Sequence, residues 1–451
     1  MAAASKTERL GTQSIGRLLL EMSSQTTFSL LVYALYTLID TYFLSVDVGP
    51  LAAAGASVIA PVLTALGAVA TTVGAGGASV VSRALGEGNV PLASRTVANT
   101  FLIFWVVALI IGMLGVILIE PLVRLLGATD RIAPYATEYG RIIFLGAVTS
   151  TGFSAIIRAD GNARFSTLIW IIPVGVNVAL CWLFIVVLKL GAAGAALATV
   201  CAQTVSLGMS LYFFFWRKHR SYDVKAAYFR PNAPIIAQVL LIGFPSFAKN
   251  FSVSLVAVIT NNLLRQLGGE GALSVYAIVG RLYAGLLTPQ LGIVQGMQPL
   301  VGYNFGQRTF GRVWKTVRLS LRATVLYGVL ACGVCLLFSA ALLTALSKDH
   351  AVLAQGPGAL QLLALAFPLT GVSLVVAAAF QAIGRAREAL GLTLGGILLV
   401  KVPVLLLAAH LFGLHGLWIS EAVSEGVLCL TAWVMLKRIW ERSEGGLRQR
   451  A

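Results

Sequence analysis

The sequence predicts an all-α polytopic membrane protein: twelve transmembrane helices in two six-helix bundles, related by a pseudo-two-fold axis along the membrane normal. Three observations predict this fold class: an apolar composition, long apolar stretches and an internal repeat. Of the 451 residues, 58% are hydrophobic and 11% are charged, and the mean hydropathy is +0.87. Charged residues make up roughly a quarter of an average chain. The composition therefore excludes a soluble globular protein.

Twelve apolar stretches are long enough to span a bilayer as helices, which takes about 20 residues. Their unbroken apolar character favours helices over the alternating strands of an outer-membrane barrel. We expect no cleavable signal peptide, because the first seventeen residues are polar. The stretches cover residues 15–44, 52–81, 97–120, 134–157, 166–189, 192–216, 236–264, 273–302, 317–345, 358–383, 390–412 and 414–437.

The net charge of +16 is best explained by membrane topology. If both termini and the even-numbered loops share one side, that side, counted with the helix ends that adjoin it, holds 24 of the 33 Lys and Arg residues, against five on the other. The positive-inside rule makes the basic side cytoplasmic. We therefore expect both termini in the cytoplasm and no nucleic-acid partner.

The longest polar interruption, residues 216–234, divides the helices six and six. It separates two predicted lobes, and a short polar segment follows the last apolar stretch. The predicted domains are an N-lobe (1–216), a cytoplasmic linker (217–235), a C-lobe (236–440) and a cytoplasmic tail (441–451).

The two halves share an internal repeat with a nearly constant offset. An even number of helices in each half keeps both repeats in the same orientation, as in some transporter folds. Such a duplication is typical of a secondary transporter that works by alternating access. The matching pairs are Gly86 with Gly306, Gly161 with Gly384, and Gly191 with Gly413, at offsets of 220, 223 and 222.

Several motifs resemble the multidrug and toxic compound extrusion (MATE) family. They are RADGNARFS, GVNVAL and GAAGAALATV in the first half, and GIVQGMQPLVGYNFG and AFQAIGRARE in the second. The branch with its cation site in the N-terminal lobe fits best. The resemblance implies an antiporter in the bacterial inner membrane that exports amphipathic or cationic organic compounds in exchange for protons.

Two alternatives remain open: a Na⁺-coupled drug antiporter, and a flippase of the same superfamily for a lipid-linked saccharide. An enzyme is not expected, because the loops carry only scattered acids. We expect no cofactor beyond the coupling ion, H⁺ or Na⁺. The expected partners are small organic substrates and the bilayer, and the protein is expected to be a monomer.

The first predicted helix carries a carboxylate, Asp40, in the apolar stretch LVYALYTLIDTYFLS. An acid at the centre of a membrane helix costs at least about 2.5–3.5 kcal/mol, so such residues mark functional sites. Five polar residues precede Asp40 at helical spacing, on one face. We expect this face to line a substrate cavity: Gln25, Ser29, Tyr33, Tyr36 and Thr37.

The resemblance implies that Asp40, Tyr139, Asn177 and Thr199 form the cation site. One departure bears on the coupling ion: the family commonly has an acid four residues after the asparagine, and this chain has Cys181. Na⁺ is a hard cation that prefers several oxygen ligands, whereas a lone carboxyl can carry a proton. The departure therefore favours protons over Na⁺. A purely structural role, with Asp40 locked by hydrogen bonds, stays open.

The last two predicted helices carry three charged residues, Lys401, Glu421 and Glu425. A hairpin at Gly413 puts Lys401 and Glu425 at one depth and predicts an ion pair between them. Glu421 would then be left to bind a cation or a cationic substrate, although a purely structural cluster stays open. At an offset of 222, Asn262 occupies the position of Asp40 and would belong to the same C-lobe polar site.

Overall fold

A computed structural model describes residues 7–150, 152–217 and 221–448, and every regular element in these ranges is helical. The predicted tail lies outside the described residues from 449 onward. The α-helices are α1 (Glu8–Thr12), α2 (Ile15–Phe43), α3 (Pro50–Gly86), α4 (Val90–Ile117), α5 (Ile119–Leu125), α6 (Ala133–Leu145), α7 (Phe153–Ala159), α8 (Ala163–Cys181), α9 (Gly191–Leu211), α10 (Ala233–Gly306), α11 (Phe310–Leu346), α12 (His350–Ala364), α13 (Phe367–Ala382), α14 (Ala386–Leu390) and α15 (Val402–Arg448).

Eight helical segments of the described chain are long and apolar enough to cross a membrane. Two bent pairs, α6 with α7 and α12 with α13, raise the number of candidate spans to ten. The 74-residue helix α10 would be roughly 110 Å long if straight, far more than a bilayer about 30 Å thick. It breaks at Gly269, and α15 breaks at Gly413, where both glycines have positive φ. These two breaks account for the twelve predicted stretches.

The break at Gly413 reverses the chain. Lys401 Nζ lies 2.7 Å from Glu425 Oε1, although a straight helix would separate these two residues by roughly 36 Å. Gly413 has φ 56°, a left-handed conformation that only glycine adopts without a steric penalty. The sequence therefore codes the hairpin through this one glycine.

The internal repeat is visible in the backbone as well as in the sequence. Positive-φ glycines occur at Gly161 and Gly384, and at Gly191 and Gly413, both pairs that the sequence alignment matches. A further pair is Gly49 and Gly269, which end the first helix of each half at an offset of 220. The turns between helices are therefore repeated together with the helices.

The described chain divides into two compact units, each with its own apolar core. Unit 1 comprises the described residues up to Gln13, with Phe28–Gly243 and Gly302–Arg308. Unit 2 comprises Ser14–Thr27, Phe244–Val301 and the described residues from Thr309 onward. The lobe boundaries drawn from the sequence stay a prediction.

Close helix contacts in unit 1 depend on glycine. A Cβ atom at Gly76 would lie 2.0 Å from the Val239 carbonyl oxygen, and one at Gly86 would lie 2.1 Å from the Tyr303 carbonyl oxygen. Real Cβ atoms do not approach backbone atoms this closely. These helices therefore pack backbone to backbone, as small residues permit in membrane proteins.

Candidate functional site

Asp40 lies on α2, partly buried, and its carboxylate faces the end of α8. Its Oδ1 accepts a hydrogen bond from the Cys181 thiol at 3.6 Å. Asp40 makes no ion pair with any residue that the structure describes. A carboxylate in a membrane helix with no basic partner is expensive unless it binds a proton or a cation.

A second group of polar side chains surrounds this carboxylate. The Tyr36 hydroxyl lies 3.2 Å from Thr199 Oγ1, which joins α2 to α9. Tyr139 on α6 is only 2% exposed and lies close to Tyr36, Thr199 and Asp40. The structure thus brings together the four residues of the predicted cation site. We call these residues and their direct partners the N-half polar cluster: Tyr36, Asp40, Tyr139, Asn177, Cys181 and Thr199.

Asn177 and Cys181 are one turn apart on α8 and both are fully buried. The two side chains are in contact, with 3.5 Å between Cys181 Sγ and Asn177 Oδ1. A thiol has one proton, so it donates either to Asn177 or to Asp40. With the amide turned so that its NH₂ donates to sulfur, the hydrogen bonds run in one direction, from Asn177 through Cys181 to Asp40. This orientation also satisfies Asn177 Nδ2, which otherwise has no partner in the described chain.

The five polar residues that precede Asp40 on α2 are not all in one environment. Ser29 is 3% exposed, whereas Tyr33 is 44% exposed and Thr37 bonds back to the Ala34 carbonyl. Tyr33 packs edge-on against Trp170 at 5.3 Å between ring centroids. Gln25 is partly buried. Tyr36 joins the N-half polar cluster, and the ring of Tyr33 lies beside it, 5.8 Å from the Tyr36 ring between centroids.

The second half of the chain holds a charged cluster on its last helices. Lys401 Nζ lies 2.7 Å from Glu425 Oε1, which confirms the predicted ion pair. The other carboxylate oxygen of Glu425 accepts a hydrogen bond from Ser373 on α13 at 2.9 Å. The side chain of Glu425 is only 4% exposed, so this is a buried and fully bonded pair.

The sequence suggested that Glu421 would be left without a partner, but in the structure Glu421 also pairs with Lys401. Lys401 Nζ lies 2.7 Å from Glu421 Oε1 and binds both carboxylates at once. Glu421 and Glu425 are one turn apart on α15, so the flexible stem of one lysine reaches both.

Asn262 is exposed and donates to the Val258 carbonyl of its own helix, so the structure does not bring it to the charged cluster. Lys249 on α10, which sequence reasoning did not place in this site, lies within electrostatic range of Lys401 and Glu425. We call Lys249, Ser373, Lys401, Glu421 and Glu425 the C-half polar cluster.

Asp160, one of the loop acids that seemed scattered in the sequence, is also buried, at 1% exposure. Its carboxylate accepts hydrogen bonds from Thr7 at 2.9 Å and from Asn162 at 2.7 Å, and it also bonds Ser221. Burial raises the pKa of Asp160 above its ordinary value, although these hydrogen bonds oppose the shift. This arrangement ties α1 and the segment after α9 to the loop between α7 and α8.

No group of three or more His, Cys, Asp and Glu side chains comes together to hold a metal within the described ranges. The site therefore consists of one carboxylate with a thiol, an amide and hydroxyls in the first half, and a lysine–glutamate cluster in the second. Both lie within helical segments that are long and apolar enough to cross a membrane.

The fold and these intramembrane polar clusters define a polytopic membrane transporter. The MatE family profile matches residues 26–183 and 245–407, most of the chain, and the protein belongs to this family.

Curated relatives match almost end to end. The chain is 26% identical over 438 residues to a FAD transporter of Shewanella oneidensis, covering 95% of each protein. It is 24% identical over 421 residues to the multidrug export protein MepA of Staphylococcus saprophyticus, covering 91% of each. Among solved structures, a crystal structure of MATE in the straight conformation matches with a TM-score of 0.91, at 22% identity and over 100% of both chains. The predicted all-helical fold and the assignment to a transporter family are thus confirmed.

Proposed function

We propose that the protein is a proton-coupled antiporter that exports amphipathic organic compounds by alternating access, with Asp40 as the protonation site. The observation that carries the proposal is the isolated carboxylate of Asp40, which contacts a thiol and no basic side chain in the described chain. Multidrug export by the MepA relative supports organic compounds as the cargo.

The neighbours of Asp40 favour a proton over Na⁺. A sodium ion needs several oxygen ligands, and the position one turn beyond Asn177 offers sulfur in place of a second carboxylate. Protonation of Asp40 would turn a hydrogen-bond acceptor into a donor and remove a charge from the N-half polar cluster. The protonated and charged states therefore favour different packing of α2 against α8, which is what coupling requires.

The basic loops support a bacterial inner-membrane location with both termini in the cytoplasm. We propose a monomer that uses no cofactor other than its coupling ion.

The test is ethidium flux in proteoliposomes under an imposed pH gradient, with and without Na⁺. Wild type should transport the dye with the pH gradient alone, and Asp40→Asn should abolish gradient-driven flux. Asp47→Asn is the matched control, because Asp47 is an exposed acid close to the end of the same helix. Unchanged gradient-driven flux in Asp40→Asn would refute the assignment.

The same dye-flux assay distinguishes the two alternative functions. Flux that requires Na⁺ would indicate a Na⁺-coupled antiporter. Absence of dye flux under every gradient would favour a flippase for a lipid-linked saccharide.

A further inference from the structure

Lys249 has an unusual position for a lysine in a membrane helix. It lies near the middle of the first part of α10, between Asn232 and the break at Gly269, and is partly buried. A charged residue at this depth is costly, and in known membrane proteins it pairs with another group or binds a ligand. The charges around Lys249 decide which of these applies.

The two glutamates of the C-half polar cluster are already engaged. Lys401 binds Glu421 and Glu425 at 2.7 Å each, and Ser373 occupies the second oxygen of Glu425. No ion pair or hydrogen bond of Lys249 occurs in the described chain, and it interacts only at longer range with Lys401 and Glu425. Lys249 therefore has no direct counter-ion in the described chain.

The charge balance explains how the chain tolerates this lysine. One lysine with two glutamates carries a net charge of −1, and Lys249 in its protonated form brings the cluster to neutrality. Long-range balance does not replace the hydrogen bonds that an ammonium group loses on leaving water. An anionic oxygen at Lys249 would supply them.

Resting on the proposed transport function, we propose that Lys249 binds an anionic group, a phosphate or a carboxylate, on the transported molecule. The carboxylates of the C-half polar cluster cannot serve a cationic substrate without giving up Lys401. Lys249 is partly buried as a residue and its amine has no hydrogen-bond or ion-pair partner in the described chain, so an anionic oxygen can become its partner. Lys249 therefore adds affinity for those amphipathic molecules that carry a negative charge.

Flavins provide matched probes, because riboflavin and FMN share a fluorescent ring and differ by one phosphate. We would measure their downhill flux in proteoliposomes, which needs no ion gradient, together with carboxyfluorescein as the carboxylate probe. A charge-assisted hydrogen bond contributes about 1.5–3 kcal/mol, so Lys249→Gln should lower kcat/KM for FMN by about 10- to 100-fold. Riboflavin and ethidium flux should be unchanged, which also shows that the variant folds.

Two control variants isolate the charge of Lys249. Lys249→Arg keeps the charge and should retain most FMN flux. Lys315→Gln removes an exposed lysine at the start of α11 and should leave every probe unaffected. If Lys249→Gln damaged the protein as a whole, riboflavin flux would fall together with FMN flux. That result would overturn the proposal.

The anionic group could belong to a soluble molecule or to a lipid. Movement of a fluorescent phosphatidic acid between leaflets, measured by dithionite quenching, distinguishes these sources: Lys249-dependent flipping without FMN flux supports the proposal and assigns a lipid. The proposal would be overturned if the wild-type protein transported none of FMN, carboxyfluorescein and the fluorescent phosphatidic acid. A failure of proton coupling would appear only in the ethidium assay, so the two proposals fail separately.

Discussion

Replacing Lys401 by methionine should destabilise the protein more than removing either of its glutamate partners. The substitution keeps an apolar chain of similar length but leaves two carboxylates, one turn apart, without a direct cation. Glu425 is the more sensitive of the two, because its side chain is 4% exposed against 25% for Glu421. Breaking a buried ion pair from one side costs about 3–5 kcal/mol.

The glutamate variants should cost less, because Lys401 then keeps one partner. Glu421→Gln removes the more exposed contact and should cost about 1 kcal/mol. Glu425→Gln also weakens the bond from Ser373 and should cost about 1–3 kcal/mol.

Thermal unfolding of the purified protein in detergent, followed by tryptophan fluorescence, would rank the variants by Tm. The expected order is wild type, Glu421→Gln, Glu425→Gln and then Lys401→Met. Replacing all three charged residues by Met, Gln and Gln should recover much of the lost Tm, because no uncompensated charge remains. A Tm for Lys401→Met at or above that of wild type would refute the reasoning.

Three further predictions follow from the structure. Gly76→Ala should lower Tm in the same assay, since its Cβ would lie 2.0 Å from a carbonyl oxygen, whereas Gly67→Ala has open space and should not. Cys181→Asp places a second carboxylate beside Asp40 and should add Na⁺-stimulated dye flux that Cys181→Ala lacks; identical flux with and without Na⁺ would contradict this. The pKa of Asp160 is raised by burial, so its contribution to stability is present at low pH and is lost as pH rises through that raised pKa. Tm should therefore fall across this range in wild type but remain flatter in Asp160→Asn.

Much of the fold follows from local signals in the sequence. Apolar length predicts the spans, and a glycine with positive φ marks several of the reversals, as Gly191 and Gly413 show. The spacing of Asn177 and Cys181 already places them on one face of a helix. Their contact with Asp40 could not be read from one sequence, because it depends on how α8 packs against α2.

The predicted alignment of the first helices of the two halves was wrong by two residues. An offset of 222 aligned Asp40 with Asn262, but the first helix of each half ends at Gly49 and Gly269, an offset of 220. At that offset Asp40 aligns with Thr260, which is buried, whereas Asn262 is exposed. Two residues on a helix rotate a side chain by roughly 200°, which moves it to the opposite face.

The acids of the two halves differ in their charged partners: Glu425 pairs with Lys401, whereas Asp40 has no basic partner in the described chain. This difference bears on which acid suits the proposed role of protonation site. In the C-half polar cluster, protonating Glu425 would require it to give up Lys401 and to leave a buried ammonium less well paired. Asp40 gives up no ion pair in the described chain when it takes a proton, and only its hydrogen bond with the Cys181 thiol has to change. A coupling ligand must bind two conformations with different affinity, and a site that changes charge without breaking an ion pair can cycle between them at low cost. The partners of the two acids therefore support the proposal that Asp40, rather than Glu425, is the protonation site.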